Sequence, residues 1–179
     1  MAASLRLFAD HCRIDLCDDS SEGDLSRAWT ARATADHVAV TEDALGIGTV
    51  VNLCVAVDIE ILLQPPSDDS PRFDHVAEAG VHVPSGSLVV LGCGDYGPGA
   101  ARFAVAPGWN RVRVSKRDMA LASRAHAGSQ EDSDDMDAAE RIRVQQLPGP
   151  RTPTRVIKRW NRSGAASPPQ VGTARTART

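Results

Sequence analysis

From Leu53 to Leu63 every odd position is apolar (Leu53, Val55, Val57, Ile59, Ile61, Leu63), and Asp58 and Glu60 fall between them. A period of two sends alternate side chains to opposite faces, so this stretch predicts a strand with one buried face. Gln64-Pro65-Pro66 and the polar run after it end the strand, because proline has no amide hydrogen to donate to a ladder. Val76 to Val83, closed by Pro84-Ser85-Gly86, predicts a second strand, and the continuously apolar Leu88 to Leu91 a third. Gly92-Cys93-Gly94-Asp95-Tyr96-Gly97-Pro98-Gly99 is too rich in glycine for a regular element and reads as a loop. Phe103 to Val105 and Trp109 to Val114 flank Pro107-Gly108 and predict a hairpin, with Val112 and Val114 inward and Arg111 and Arg113 outward. The same alternation returns at Arg141-Ile142-Arg143-Val144.

Helical signals are few. Thr30 is placed to cap a short helix reaching Val38, and a turn or two fits within Asp118 to Ala127. Short strands at near-hairpin spacing, with no long amphipathic helix, predict an all-β fold: a single antiparallel β-sandwich-like domain over residues 1–160, with one or two short helices. Lys116 to Ala138 lacks period-two patterning and carries Glu131, Asp132, Asp134, Asp135 and Asp137, which predicts a mobile acidic loop. Residues 161–179 are Gly, Ala, Ser, Pro, Thr and Arg with one Asn, one Gln and a single Val. They predict a disordered basic tail, because so little apolar surface does not offset the entropy of ordering.

Charge changes the picture more than composition does. Residues 1–150 hold 13 basic and all 23 acidic residues, a net of −10, whereas residues 151–179 hold 7 basic residues and no acid. An acidic body is repelled by phosphate backbones, which argues against direct nucleic-acid binding by the body and for a protein or cationic partner. With only 7 aromatic residues in 179, a surface of stacked rings for single-stranded nucleic acid is excluded. The four cysteines, Cys12, Cys17, Cys54 and Cys93, form no CxxC pair or disulfide framework. Residues 1–16 carry Asp10 and Asp15 inside their apolar stretch and do not read as a signal peptide, and no run is long enough to span a bilayer, so the expected location is the cytoplasm.

Candidate chemistry is thin. Gly46-Ile47-Gly48 opens like a dinucleotide fingerprint, but Val51 stands at the third glycine position, so a bend at the entry to a strand is the better reading. Asp132 and Asp134 alternate like calcium ligands, yet Met136, Asp137 and Arg143 occupy the third-ligand, glycine and closing-glutamate positions. His11, Cys12 and Cys17 lack the second ligand pair of a zinc site. Cys93, with Asp95 beside it and His75 and His82 upstream, superficially supplies a thiol, a base and an acid, but nothing in the sequence brings them together. No catalytic residue, metal site or cofactor is expected. Arg111, Arg113, Arg141 and Arg143 would form a basic patch if their strands pair, with cross-strand pairing to Asp58 and Glu60 the preferred reading.

Several of these pieces, taken in order, resemble a bacterial family, the competence protein J-like inhibitors of the DNA-entry nuclease. They are Trp29-Thr30 with Ala33, Gly46-Ile47-Gly48-Thr49, Asp74-His75-Val76-Ala77-Glu78-Ala79, Val83-Pro84-Ser85-Gly86, Gly92-Cys93-Gly94-Asp95-Tyr96, and Arg102-Phe103 leading to Gly108 and Arg111-Val112-Arg113-Val114. The likeness runs from about Leu5 to Trp160 and departs at Asp10-His11-Cys12-Arg13 and at Ala31-Arg32. It implies a non-catalytic protein that inhibits or chaperones a nuclease. The acidic body suggests how, by taking the place of phosphate in a basic cleft, with Asp132, Asp134, Asp135, Asp137, Asp95 and Tyr96 as candidate contacts. The alternatives are a ligand-binding or enzymatic sandwich using the Cys93 to Tyr96 loop, or an interaction domain with a different partner. Oligomeric state is not legible.

Overall fold

The computed structural model describes residues 1–22, 24–92, 95, 99–127 and 137–161. Among these residues, eleven strands and two α-helices follow in chain order: β1 (Ala2–Phe8), β2 (Arg13–Asp18), α1 (Ala31–Asp36), β3 (Val38–Val40), β4 (Ala44–Gly48), β5 (Cys54–Ile61), β6 (His75–Val83), β7 (Ser87–Leu91), β8 (Ala101–Ala104), β9 (Gly108–Arg117), α2 (Met119–Ala127), β10 (Asp137–Pro148) and β11 (Arg155–Lys158). They form a six-stranded sheet, β1-β5-β10-β9-β6-β11, and a five-stranded sheet, β3-β4-β2-β7-β8. The fold is all-β, as the alternation predicts. Within the two sheets β10 lies parallel to β5, with Ile142 beside Val57 and Val144 beside Ile59, and the other pairings are antiparallel.

One apolar core fills the space between the sheets. The six-stranded sheet contributes Val55, Val57, Ile59, Ala77, Ala79, Val81, Val112, Val114, Ile142 and Val144, and the five-stranded sheet contributes Ile14, Leu16, Leu45, Ile47, Leu88, Val90 and Phe103. The odd-position rule holds from Val55 to Ile59, each 0% exposed, and stops where β5 ends at Ile61, leaving Leu63 91% exposed beyond the sheet.

Three expectations are corrected. Phe103 to Val114 is not a hairpin: β8 pairs with β7, whereas β9 pairs with β6 and β10, so the chain changes sheets between them. Gly108 (φ +105°) makes that corner, and the Asn110 amide locks it by donating to the carbonyls of Ala106 and Gly108, both at 2.9 Å. Alternation reports which face is buried, not which strand lies alongside. Gly46-Ile47-Gly48 is not an entry bend but lies inside β4, where every residue is buried. A Cβ on Gly46 would come within 2.8 Å of the Trp29 ring, so the glycine is there for close approach rather than for a turn. Finally, much of Lys116 to Ala138 is regular: β9 runs on through Arg117, α2 follows, and β10 begins at Asp137. Met119 and Ala122 anchor α2, at 0% and 2% exposed, with Ala122 packed on Val51 and Leu53.

The short helix α1 follows its predicted start. Thr30 Oγ1 accepts from the Ala33 amide at 3.2 Å, and His37 ends the helix in a left-handed conformation at φ 53°. Past β10 the chain crosses over β6, where the Gly80 amide donates to the Thr152 carbonyl at 2.9 Å, and β11 then adds to that edge of the six-stranded sheet.

Candidate functional site

The densest chemistry lies at one end of the space between the sheets. The inward positions of β9 continue the alternation Val112, Val114 to Lys116, and those of β10, read backwards from Val144 and Ile142, reach Glu140. Both side chains are 0% exposed, and Lys116 Nζ lies 2.8 Å from Glu140 Oε1. The ammonium also donates to the Gly48 carbonyl and, at 3.2 Å, to His37 Nδ1, so two acceptors and one counterion hold it. Glu140 Oε2 in turn accepts from the Val50 amide at 2.8 Å. Burial pulls the lysine below its ordinary range, and the adjacent carboxylate opposes it. A fully buried lysine held by two acceptors and a counterion is a structural charge rather than a nucleophile.

Two histidines flank it. His75 is the cross-strand partner of Lys116, and its ring lies edge-on to His37 at 5.1 Å. His75 Nε2 bonds the Asp36 carbonyl at 2.9 Å, and its Nδ1 accepts from the Trp160 amide at 3.3 Å, which assigns the proton to Nε2. Burial, then the charge of Lys116, lowers His37 to about 3 and His75 to about 4, so both are neutral at physiological pH. Trp160 belongs to the C-terminal strap, which Arg159 fastens further by reaching Asp36 and the Ala35 carbonyl.

This ionic end opens into a cleft of about 340 Å³ whose lining includes His11, Cys12, Arg13, Trp29, His37 and Thr49. His11, Cys12 and His37 have φ of 51°, 56° and 53°, so three of the four left-handed non-glycine residues described meet in this cleft. Each such residue costs roughly 1–2 kcal/mol, and strain of this kind gathers at working sites. The Trp29 indole N–H is buried there with no hydrogen-bond partner among the described residues.

A second feature is electrostatic. Residues 10–50, which build β2, β3, β4, α1 and their connections, hold nine acidic residues and three arginines. Burial, followed by the charges of Asp15, Asp43, Asp18 and Asp19, pushes the Cys17 thiol up to about 11. Asp18 is occupied structurally, accepting from the amides of Ser20 at 2.9 Å and Ser85 at 3.0 Å. Asp19 meets Arg102 at 3.0 Å, and Glu42, with its side chain 72% exposed, lies 3.9 Å from His82.

The candidate contacts named from sequence scatter. Asp95 Oδ2 accepts from the Gly92 amide at 2.9 Å and so closes its own loop. Asp137 opens β10 beside Cys54. Cys93, Tyr96, Asp132, Asp134 and Asp135 lie outside the described residues. His75 belongs to the ionic end, and His82 stacks on Trp109 at 5.1 Å. No cluster of metal-ligating side chains occurs among the described residues, Cys12, Cys17 and Cys54 are thiols, and no described helix is long and apolar enough to cross a membrane.

The expected arginine patch divides. Arg113 is 6% exposed rather than solvent-facing, bound to Asp68 at 3.2 Å, and Arg143 pairs with Asp69 at 2.8 Å. Their counterions come from the loop before β6. Asp58 and Glu60, expected as partners, accept instead from Ser4 at 2.6 Å and Gln145 at 2.8 Å.

No family model and no curated protein matches the chain. Two solved structures share its fold. One is ComJ from Bacillus subtilis, an inhibitor of the DNA degrading activity of NucA, with a TM-score of 0.58 at 12% identity over 81% of this chain and 94% of that one. The other is the protein of crocagin biosynthetic gene J, with a TM-score of 0.53 at 17% identity over 83% of this chain and 97% of that one. The architecture resembled in the sequence is therefore present in the structure: the chain has a ComJ-like fold.

Proposed function

We propose that this chain is a non-catalytic binding protein that inhibits or chaperones a nuclease, presenting carboxylates where the enzyme's basic cleft would hold DNA phosphates. What supports the reading is the acid excess of residues 10–50 in the sequence, together with a fold that a nuclease inhibitor also has. Such a surface steers a basic partner from a distance, and its attraction fades as salt shortens the screening length. Two acidic groups are candidates for the contact: Asp19, Glu42 and Asp43 beside β2 and β4, and Asp132, Asp134, Asp135 and Asp137, with Asp95 and Tyr96 as further contacts.

The test is inhibition of a basic-cleft DNA nuclease, titrated at low and moderate salt, with each acidic group neutralised in turn to Asn or Gln. Inhibition should weaken with salt, and one neutralised set should weaken it further while leaving the melting temperature nearly unchanged, since exposed substitutions cost little. Inhibition indifferent to salt and to both sets would overturn the phosphate mimicry, and absence of inhibition would overturn the function. The cleft at His11, Cys12 and His37 favours a second reading, a ligand-binding sandwich sited there rather than at the Cys93 to Tyr96 loop. A small molecule retained in native mass spectrometry would support that reading instead.

A further inference from the structure

On the outer face of the six-stranded sheet, far in kind from the acidic side, Arg117 on β9 stands directly opposite Arg141 on β10. Like charges placed opposite each other across a ladder destabilise it. Arg143, two residues further along β10 on the same face, adds a third guanidinium. Arg72 and Phe73, from the turn before β6, complete a cavity of about 160 Å³ in which Asp58 is the lining acid.

Arg143 is held in place before any ligand arrives. It bonds Asp69 at 2.8 and 3.0 Å, and its guanidinium sits 4.4 Å from the centre of the Phe73 ring. Its Nε is buried with no hydrogen-bond partner among the described residues. Among the described residues Arg117 pairs with its own neighbour Asp118, at 3.8 Å, a loose contact between half-exposed side chains. Asp58 already accepts from the Ser4 hydroxyl at 2.6 Å. Arg72 and Arg141 are exposed and meet no acid among the described residues. Four arginines therefore line a cavity whose lining acid is Asp58, and of the four Arg143 is already neutralised, by Asp69.

We propose that this cavity binds an oxyanion of the phosphate class, with Arg72, Arg117 and Arg141 as its ligands and Arg143 as the fixed wall. Guanidinium forks match tetrahedral oxyanions in geometry as well as charge, which suits arginine over lysine here. The volume selects the size of the guest. At about 160 Å³ the cavity is smaller than the roughly 300 Å³ at which pockets for whole organic ligands begin, so it takes the anion itself or the terminal phosphate of something larger. A bound dianion also relieves the opposition of Arg117 and Arg141.

The experiment titrates the full chain by calorimetry with inorganic phosphate, a 5′-mononucleotide and acetate at matched ionic strength. Saturable binding of phosphate is expected, with acetate at least tenfold weaker, and a rise in melting temperature with phosphate. Affinity should fall about tenfold or more in R141Q and R72Q and stay unchanged in R111Q, a control outside the cavity. In phosphate-free buffer R141Q should melt no lower than the parent chain, because the substitution removes a repulsion. Equal affinity for the mononucleotide and phosphate identifies a terminal phosphate as the guest, and a strong preference for phosphate identifies the free ion. No saturation at about 10 mM phosphate, binding unaffected by R72Q and R141Q, or R141Q melting well below the parent would each overturn the proposal.

Discussion

Strands β9 and β10 carry a buried polar pair at each end of their shared inward face, and the two pairs differ in kind. Asn110 and Gln146 form a neutral pair, both 0% exposed, with the Gln146 amide donating to Asn110 Oδ1. Lys116 and Glu140 form an ionic pair, equally buried. Between them lie Val112, Val114, Ile142 and Val144, so each strand reads polar, apolar, apolar, polar along its inner face. The neutral pair does a local job, since Asn110 spends its donors on the corner at Ala106 and Gly108 where the chain changes sheets. The ionic pair ties distant segments together: the Gly48 carbonyl, the Val50 amide and the His37 ring all converge on it. A neutral amide suffices to close one corner, whereas the ionic pair organises the end where the strained cleft opens.

This contrast is most strongly broken at the lysine. Lys116→Met should cost about 3–5 kcal/mol in urea unfolding, because Glu140 is left as a buried charge without its counterion. The double variant Lys116→Met with Glu140→Leu should recover much of that loss, because an apolar pair of similar volume needs no compensation. A double variant no more stable than the single one would show that His37 and the Gly48 carbonyl, not the charge balance, set the cost.

Acid is the next sharpest probe, and its sign follows from the histidines. His37 and His75 have folded values of about 3 and about 4, below the unfolded value near 6.5, so the unfolded chain takes up protons first. Their contribution is intact above about pH 6.5 and is lost as the pH falls toward those folded values, by up to about 1.4 kcal/mol per unit for each histidine. Denaturant midpoints measured from pH 7 to 5 should fall accordingly, and in Lys116→Met the slope should be shallower, because the ammonium helps hold both rings neutral. A flat profile in the parent chain would mean the rings are not neutral and buried as described.

The smallest expected effect belongs to the neutral end. Asn110→Ala strands two carbonyls and the Gln146 amide, and should cost about 1–3 kcal/mol with no change in the pH profile. If it cost as much as Lys116→Met, the distinction between a local and an organising pair would fail.

Much of this was open to a reader of the sequence. The alternation through Val112 and Val114 points to position 116, and that through Val144 and Ile142 points back to 140, so the inward lysine and glutamate carried a signal. The strand expected at Trp109 to Val114 stops three residues short of the end of β9 at Arg117, because an ionisable residue resembles the end of a buried run. The acid excess was equally visible as a number, but Asp43 comes near Cys17, alongside its chain neighbours Asp15 and Asp19, only when β2 and β4 pair.

The all-β class, the buried faces of β5, β6, β9 and β10, the Thr30 cap and the separation of an acidic body from a basic C-terminus follow from the sequence itself, because periodicity, capping and charge are local properties of the chain. Tertiary structure alone decided that β8 and β9 part into different sheets, that β10 lies parallel to β5, that Arg113 is buried against Asp68 while Arg117 faces Arg141, and that Lys116 meets Glu140, His37 and the Gly48 carbonyl. Each of these depends on which strand lies beside which. Neighbour choice is settled by packing across the whole core, between residues tens of positions apart, where a two-residue period carries no information.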